Sequence, residues 1–314
     1  MENKIKIFSE RESEEIKKHN LILSGNDHFV GKDEKRKNGK ILHIDLPYTL
    51  GNYSLFYKGT QLILEQASAA IVELLNNDSV LSVRRKNELY GVLIDSLHIV
   101  HHTSTKDRKS KLNGINSLST SCVDNSFCCE RMKKTDCICS HCYADTQQKQ
   151  QLALQDRNII NGVILRNIVI PKAAWKTFFS RLDLSKFFRI ESFGDVQNKT
   201  QAINYINFMN AFPRVHFAVW TKNPGIWYFA MQEAGKPQNM SYIISSDKVN
   251  VQNTHTEKTF GNIDHVFTVY DKKYAKENGI VINCGGRECM NDCIKKHKGC
   301  YFRDTEKVIN EELK

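Results

Sequence analysis

The stretch FFRIESFGDVQNKTQAINYINFMNAFPRVHFAVWTKNPGIWYFAMQEA, residues 187–234, decides the fold class of this 314-residue chain. Short runs rich in aromatic and β-branched residues alternate here with longer segments whose apolar residues recur at helical spacing. Further short apolar runs follow at SYIIS (241–245), HVFTVY (265–270) and GIVINC (279–284). Strands that alternate with helices over short loops indicate parallel β/α units. We therefore predict an α/β protein built on an incomplete β/α, TIM-like barrel.

The region before this barrel is predicted to be a separate and partly helical unit. Residues 1–58 are polar, with nearly balanced lysines and acids, and are expected to form little regular structure. Apolar residues recur at helical spacing over residues 61–75 and again over residues 84–100. We predict an N-terminal appendage with helices over residues 1–103 and a cysteine-rich, barrel-like domain over residues 104–314.

Residues 104–142 are rich in Ser, Thr, Asn, Lys and Cys and are predicted to form a loop that leads into the second domain. Helices are expected at residues 143–160 and 173–184. Three histidines fall at the end of the helix predicted before residue 100, where residues three and four apart share a face. Metal binding is one interpretation of this group, and a polar surface or helix C-terminal cap is favoured. The three are His98, His101 and His102.

All ten cysteines lie in two windows, residues 122–142 and 284–300. In a reducing compartment such clustering favours metal ligation over disulfides, because thiolates on short loops converge on one ion or cluster. The spacings are more varied than the paired C-x2-C knuckles of zinc ribbons, so we favour a 4Fe-4S iron–sulfur cluster over zinc. Which of the six cysteines in the first window are ligands, and whether the windows form one site or two, stays open. The predicted ligands are Cys122, Cys128, Cys139, Cys142, Cys284, Cys289, Cys293 and Cys300.

Polar residues follow the predicted strands, and parallel β/α units place such residues at one common edge. Structural alternatives exist, since Gly194 and Asp195 suit a turn and Asp247 suits a helix cap. The predicted catalytic residues are Glu191, Asp195 and Lys222. The predicted cofactor-binding residues are Ser192, Gly194 and Asp247.

The formal net charge of +10 suggests a nucleic-acid or nucleotide partner. Two four-thiolate metal sites would each carry about −2, which would lower the working charge to about +6. Basic residues flank both cysteine windows, and Tyr143, Trp220 and Tyr301 are candidates for stacking on a base. No stretch approaches the roughly 20 apolar residues of a membrane span, and the first residues lack a signal-peptide core. We expect no membrane partner and a cytoplasmic location.

Several motifs in a fixed order resemble the phage "gene product 88" family over about Lys106 to Phe302. They are KSKLNGINSLSTSCVDNSFC (109–128), CSHCYA (139–144), RIESFGDVQN (189–198), VHFAVWTKN (215–223) and KGCYF (298–302). An insertion, CERMKKTDCICS (129–140), adds three cysteines to the family pattern. That family is similar in turn to the phage three-Cys-motif proteins, whose pattern resembles radical S-adenosylmethionine barrels. The resemblance implies a phage or mobile-element origin, and a bacterial host cytoplasm as the location.

The favoured hypothesis is an iron–sulfur enzyme that acts on a nucleic acid or nucleotide, with S-adenosylmethionine as a candidate co-substrate. The radical motif C-x3-C-x2-C is incomplete, because Thr135 stands at its first position before Cys139 and Cys142. A second hypothesis resembles the tRNA-guanine transglycosylases, with structural zinc on the C-x-C-x2-C run and Asp195 or Asp247 as nucleophile. Its downstream histidine would be His216, which is farther along than that pattern requires. A third hypothesis is a zinc-containing nucleic-acid-binding or host-interaction protein without enzymatic activity.

Overall fold

The computed structural model describes residues 42–45, 52–106, 110–179, 185–253, 260, 262–285 and 288–313. It begins with an antiparallel hairpin in which β1 (Leu42–Asp45) pairs with β2 (Asn52–Leu55). This hairpin corrects the expectation of little regular structure for residues 1–58, because Tyr53 and Leu55 are buried and give the second strand an apolar side. The rest of that expectation, at residues 1–41 and 46–51, lies outside the described residues.

Two helices follow and confirm the predicted helical character of the N-terminal region. Helix α1 (Lys58–Asn77) buries an apolar stripe. Helix α2 (Val83–Ser96) is capped by Ser82, whose side chain accepts the Arg85 amide at 3.2 Å. Helix α2 ends earlier than predicted, because the chain becomes extended at Leu97 and enters strand β3 (Ile99–His101).

The three histidines therefore do not lie on a helix, which corrects the prediction for His98, His101 and His102. The His101 imidazole is hydrogen-bonded to the Asn116 side chain at 2.9 Å, and His102 to the Ser117 hydroxyl at 2.8 Å. The side chains of His101 and His102 therefore face the neighbouring strand at residues 116–118.

Seven strands form one sheet, in the order β3-β4-β5-β6-β7-β8-β9. Strand β3 is antiparallel to β4, and every pairing from β4 to β9 is parallel. The α/β class is thus confirmed, and within the described ranges no pairing joins β3 to β9, so the sheet is open. The remaining strands are β4 (Asn116–Leu118), β5 (Phe187–Ile190), β6 (His216–Thr221), β7 (Met240–Ser245), β8 (His265–Tyr270) and β9 (Val308–Glu312).

Helices connect most of the parallel strands. The helix predicted at residues 143–160 is divided at Gln151, whose backbone angles are not helical. The helix predicted at 173–184 ends at Phe179, and residues 180–184 are outside the described ranges. The helices are α3 (Ser126–Met132), α4 (Tyr143–Gln150), α5 (Leu152–Asn167), α6 (Lys172–Phe179), α7 (Lys199–Ala211), α8 (Pro224–Ala234), α9 (Lys272–Glu277) and α10 (Cys289–Asp292), with 3-10 turns at Ile138–His141 and Ile294–Lys296.

Two strand assignments differ from the sequence-based prediction. Strand β4 lies inside the segment predicted as a loop. The sequence does not predict this strand, because its three residues, although buried, form no apolar run. Residues 279–284, predicted as the last strand, are irregular, and β9 pairs with β8 in their place. The amides of Asn283 and Cys284 instead donate to the Asn310 carbonyl of β9, at 3.2 and 2.9 Å.

The sheet has two unlike faces. One face packs through Phe188, Phe217 and Tyr242 into a large core that also contains residues of α1, α2, α5, α6, α7 and α8. The other face contributes Ala218, Ile243 and other residues to a smaller cluster around the second cysteine window. The long helices therefore cover one face, and the opposite face carries the short helix α10, a 3-10 turn and the second cysteine window.

No helix within the described residues combines the length and apolar character needed to cross a membrane.

Asp156 on α5 joins the N-terminal helices to the rest of the molecule. Its buried carboxylate accepts the amides of Phe56 and Tyr57 at 3.0 Å and the Thr60 hydroxyl at 2.7 Å, which completes the start of α1. Residues on both sides of position 103 thus share contacts, while the two-domain division stays a prediction.

We expect Asp156→Ala to lower the free energy of unfolding by about 1–3 kcal/mol, because it removes the acceptor of hydrogen bonds from Phe56, Tyr57 and Thr60 at the start of α1. Urea unfolding measures the change. Glu65→Ala, at an exposed position of α1, is the control and should stay within about 0.5 kcal/mol of wild type. Equal effects of the two substitutions would contradict the role assigned to Asp156.

Candidate functional site

A cavity of about 1280 Å³ lies against the sheet face that bears the smaller apolar cluster. Parallel strands bring their carboxyl ends to one edge, and the cavity wall includes residues of the loops that leave β4, β5 and β6 and the last residue of β7. The predicted site residues that line it are Cys128, Cys139, Cys142, Glu191, Ser192, Gly194, Asp195, Lys222, Cys284, Cys289, Cys293 and Cys300.

Three cysteines of the first window come together although 20 residues of chain separate the first from the last. Cys122 is fully buried after β4, Cys128 lies in α3, and Cys142 is the N-cap of α4. The Cys122 thiol donates a hydrogen bond to the Cys142 sulfur, and the charge of Cys128 also interacts with Cys142. Cys139 is close enough to interact with both Cys128 and Cys142.

Cys142 is the most acidic thiol of this group. The hydrogen bond from Cys122 lowers the Cys142 pKa most, burial opposes it, and the amides of Asp145 and Ala144 at the start of α4 lower it further, to about 6. Cys142 is therefore a ready thiolate at neutral pH, which is the form that binds metals and acts as a nucleophile.

Glu191 holds the cysteine loop against β5 and α7. Its buried carboxylate accepts hydrogen bonds from the Thr120 backbone amide at 2.9 Å and the Thr120 hydroxyl at 2.8 Å. It also accepts the side-chain amide of Gln201 at 2.7 Å and the Tyr205 hydroxyl at 2.6 Å. Burial raises the Glu191 pKa to about 7, against the lowering effect of these donors. Because both oxygens already bind protein donors, the contacts favour a positioning role over the predicted contact with substrate.

Gly194 allows the loop after β5 to approach the loop after β4. A Cβ atom at this position would lie 2.7 Å from the Thr120 hydroxyl, 2.8 Å from the Thr120 carbonyl and 3.0 Å from a Glu191 oxygen. Real Cβ atoms do not make such contacts. The predicted cofactor-binding glycine is therefore needed for the close contact of two loops, whatever else it does.

Asp195 connects the β5 loop to the β6 loop. Its carboxylate accepts the Thr221 hydroxyl at 2.6 Å and the Lys222 amide at 2.7 Å, while its carbonyl accepts the Asn125 side chain at 2.7 Å. Burial raises the pKa of Asp195, and the Thr221 hydroxyl and Lys222 oppose the rise. The ammonium group of Lys222 interacts with the charges of Cys139 and Asp195, which raise its pKa against burial. Glu191, Asp195 and Lys222 are thus brought to one edge, and their catalytic roles stay predictions.

The other two predicted cofactor-binding residues lie at the same edge. The Ser192 hydroxyl is hydrogen-bonded to Ser119 at 2.8 Å, and its carbonyl accepts the Tyr143 hydroxyl. Asp247, after β7, forms an ion pair with Arg131 and accepts the Ile138 amide on its carbonyl at 2.7 Å. Asp247 thus attaches the cysteine-rich insertion to the strand edge.

The second cysteine window lies across the same cavity. Burial raises the Cys289 pKa to about 11, Lys111 lowers it, and Cys284 and Cys293 raise it. The Cys300 thiol interacts with the charges of Cys284, Cys289 and Cys293. The Lys111 ammonium donates to the Cys284 sulfur at 3.5 Å and forms an ion pair with Glu311. The two windows therefore form two separate thiol groups that face one cavity.

The thiol groups suit iron or zinc in their donor chemistry, since thiolates are preferred by both. Among the described residues, no group of three or more His, Cys, Asp or Glu side chains is placed so that it could hold a metal ion. Metal binding by the cysteines therefore stays a prediction that rests on their clustering.

The histidine and the aromatic residues of the alternative hypotheses lie elsewhere. His216 begins β6, at the opposite end of that strand from Lys222, and stacks on Phe187 with ring centroids 5.2 Å apart. It does not join the C-x-C-x2-C run, which removes the fourth zinc ligand of the transglycosylase-like hypothesis. Trp220 and Tyr301 are packed in the smaller core, so of the three proposed base-stacking residues only Tyr143 exposes its ring.

Sequence analysis missed Arg189 in the middle of β5. Its guanidinium lies 4.2 Å from the centre of the Trp220 ring and lines the cavity between the two thiol groups. Strand alternation gives the signal that would have found it, because Arg189 shares a face with Phe187 and not with the core residues Phe188 and Ile190.

Fold and site together define an α/β protein with an open parallel sheet and a cysteine-lined cavity at the carboxyl edge of its strands. A family model described as "Gene product 88" matches residues 99–309, and the chain belongs to that family. The matched range contains all of the motifs, which lie between residues 109 and 302, so the resemblance inferred from them is confirmed. Neither the curated proteins nor the solved structures contain a match.

We expect Gly194→Ala to lower the free energy of unfolding by about 1–3 kcal/mol, because the backbone carbonyl of Thr120 must move to admit the methyl group. The matched control is Gly225→Ala at the start of α8, where nothing lies within 4 Å of the added carbon. The control should be neutral or slightly stabilising. Denaturant unfolding compares the two, and equal stability would contradict the close approach at Gly194.

The raised pKa of Glu191 predicts that the free energy of unfolding depends on pH. Its folded-state pKa, about 7, lies above the usual value of 4.5 for a glutamate, so the folded state holds the proton more tightly than the unfolded state between these values. Stability from this group is present below the lower value and is lost as pH rises to about 7, by up to about 3 kcal/mol. In Glu191→Gln this slope is absent. Unfolding of both proteins across this pH range measures the difference, and parallel profiles would show that Glu191 does not titrate as described.

Proposed function

We propose that this protein is an iron–sulfur enzyme that binds its cluster through the first cysteine window. We propose further that it cleaves S-adenosylmethionine reductively in a reaction on a nucleotide or nucleic acid. The observation that carries the proposal is the packing of Cys122, Cys128 and Cys142 into one small cluster at the carboxyl edge of the sheet.

The strand order supports the proposal. Strands β4 to β9 are parallel and follow one another in chain order, as successive β/α units of a barrel do. The cysteine loop leaves β4, the first of these strands, and the Gly194 and Asp195 loop leaves the second. Reactive groups of barrel enzymes sit in the loops after the strands, and the proposed site occupies those positions.

The rigidity of the cysteine loop also supports it. Asp124 forms a buried ion pair with Arg166 of α5 at 2.7 Å, and the Asn125 side chain accepts the Cys128 amide at 3.0 Å. Gln148 of α4 donates to the Cys122 sulfur at 3.3 Å. Buried partners on three helices fix the loop, and reactive groups need such support from surrounding side chains.

Each residue then has a role in the proposal. Cys122, Cys128 and Cys142 hold the cluster, which when bound supplies one electron for cleavage of the sulfonium S–C bond of S-adenosylmethionine. Asp195 lies beside Cys128 and is oriented by the β6 loop to accept a hydrogen bond from a hydroxyl or amino group of the bound molecule. Lys222 places a cation beside Cys139 and Cys142, where it offsets thiolate charge and attracts a carboxylate.

We expect protein purified without oxygen to contain about four irons with matching sulfide and to absorb broadly in the visible range. Cys142→Ser should lose most of this iron, because it removes the most acidic thiol. Iron, sulfide and zinc analysis with an absorption spectrum provides the measurement.

The matched control is Cys129→Ser in the same window. The Cys129 thiol points at the Val123 carbonyl, 3.4 Å away, and a serine hydroxyl can make the same contact. This variant should keep its iron. Colourless protein with one or two zincs and no iron would overturn the proposal in favour of structural zinc.

If the iron is present, 5′-deoxyadenosine should form when S-adenosylmethionine and a strong reductant are added. Asp195→Asn should lower this rate at least about tenfold with unchanged iron content, because it removes a charge beside the cluster-binding thiols. Chromatography of the nucleoside products measures the rate. Full activity of Asp195→Asn would exclude the residue from the site.

A further inference from the structure

Three hydrogen-bond donors on the cavity side of the sheet have no acceptor. They are Nε of Arg189, Nε1 of Trp220 and the hydroxyl of Tyr301, and all three residues line the cavity. Tyr301 is only 3% exposed, so water does not readily replace the missing partner. Buried donors without acceptors are costly, and native proteins keep them where a ligand supplies the acceptor.

Arg189 is also a cation without a carboxylate. Two other cations that line the cavity have one, since Lys111 pairs with Glu311 and Arg131 with Asp247. Within the described residues, Arg189 forms no ion pair, and its contact is the ring of Trp220. His102, directly after β3, stays neutral at physiological pH, because burial first and Arg189 second lower its pKa to about 4.

We propose that Arg189, Trp220 and Tyr301 bind an anionic group of the substrate, a carboxylate or a phosphate. Such a group carries several acceptor oxygens, and the cavity-lining residues Arg189, Trp220 and Tyr301 offer three donors without partners, one of them on a cation. The thiols of the second window do not account for all three donors, because Cys284 already accepts from Lys111 and sulfur is a weak acceptor. The site deepens the proposed function by naming the chemistry of its substrate, and it does not depend on the metal.

The test is titration calorimetry of the full chain, as purified and at low ionic strength, with inorganic phosphate in one arm and succinate in the other. We expect saturable binding of phosphate or of succinate, and the anion that binds more tightly is the one that the site prefers. Arg189→Met should weaken that binding at least about tenfold, as expected for loss of a charge-assisted hydrogen bond. The matched control is Arg214→Met, the same charge change at an exposed position before β6, which should leave the affinity within about twofold of wild type.

Tyr301→Phe is the second variant, and it keeps the proposal testable if Arg189→Met does not fold. It should weaken anion binding several-fold and leave the thermal midpoint of the free protein unchanged or higher, because it deletes a buried donor without a partner. A purely structural tyrosine would show the opposite pattern, with lower stability and unchanged binding.

Absence of binding in both arms would overturn the proposal, and so would equal affinity of wild type and Arg189→Met. Loss of metal from Arg189→Met with unchanged anion binding would also overturn it, because Arg189 would then serve the thiols alone. Metal analysis of wild type reports separately on the proposed iron–sulfur function. Zinc in place of iron together with saturable phosphate binding would leave this site standing without that reaction.

Discussion

The buried carboxylate of Glu191 is the constraint on which the cysteine site depends. It accepts four hydrogen bonds from three residues in two separate parts of the chain, Thr120 in the loop after β4 and Gln201 and Tyr205 of α7. Glu191 itself has a positive φ of 53°, which is uncommon for a residue with a side chain. The chain turns sharply at the end of β5, and the hydrogen bonds hold it in that conformation.

Asp195 extends the same network to the next strand. Through Thr221 and Lys222 it fixes the start of the β6 loop, and through Asn125 it reaches the loop that presents Cys128. Three successive strand ends are thus joined by buried side-chain hydrogen bonds. A fully satisfied buried network specifies one arrangement, because each displaced member leaves an unpaired group in a low-dielectric interior. The thiols therefore owe their position to polar contacts more than to apolar packing.

This division explains what the sequence could predict. Strands β5 to β8 and helices α7 and α8 follow from the period of their apolar residues, since one face of each packs into the large core. Strand β4 was missed because its residues Asn116–Leu118 are bound by polar neighbours, and β9 because VINEE resembles a solvated segment. The rule that parallel strands end at one edge predicted the meeting of Glu191, Asp195 and Lys222. Arg189 was missed because its significance lies in the partners it lacks, which only the contacts reveal.

The cavity combines two kinds of chemistry at its two levels. At the strand edge, Cys142 and Lys222 form a polar group suited to a charged cofactor, whereas deeper on the sheet face Arg189 stands on Trp220 among apolar side chains. A cation in such surroundings interacts strongly with an anion, because little water is present to screen it. A molecule that fills both levels, as the proposed anion site requires, would place its negative group at Arg189 and its other end beside Cys142 and Lys222 at the strand edge.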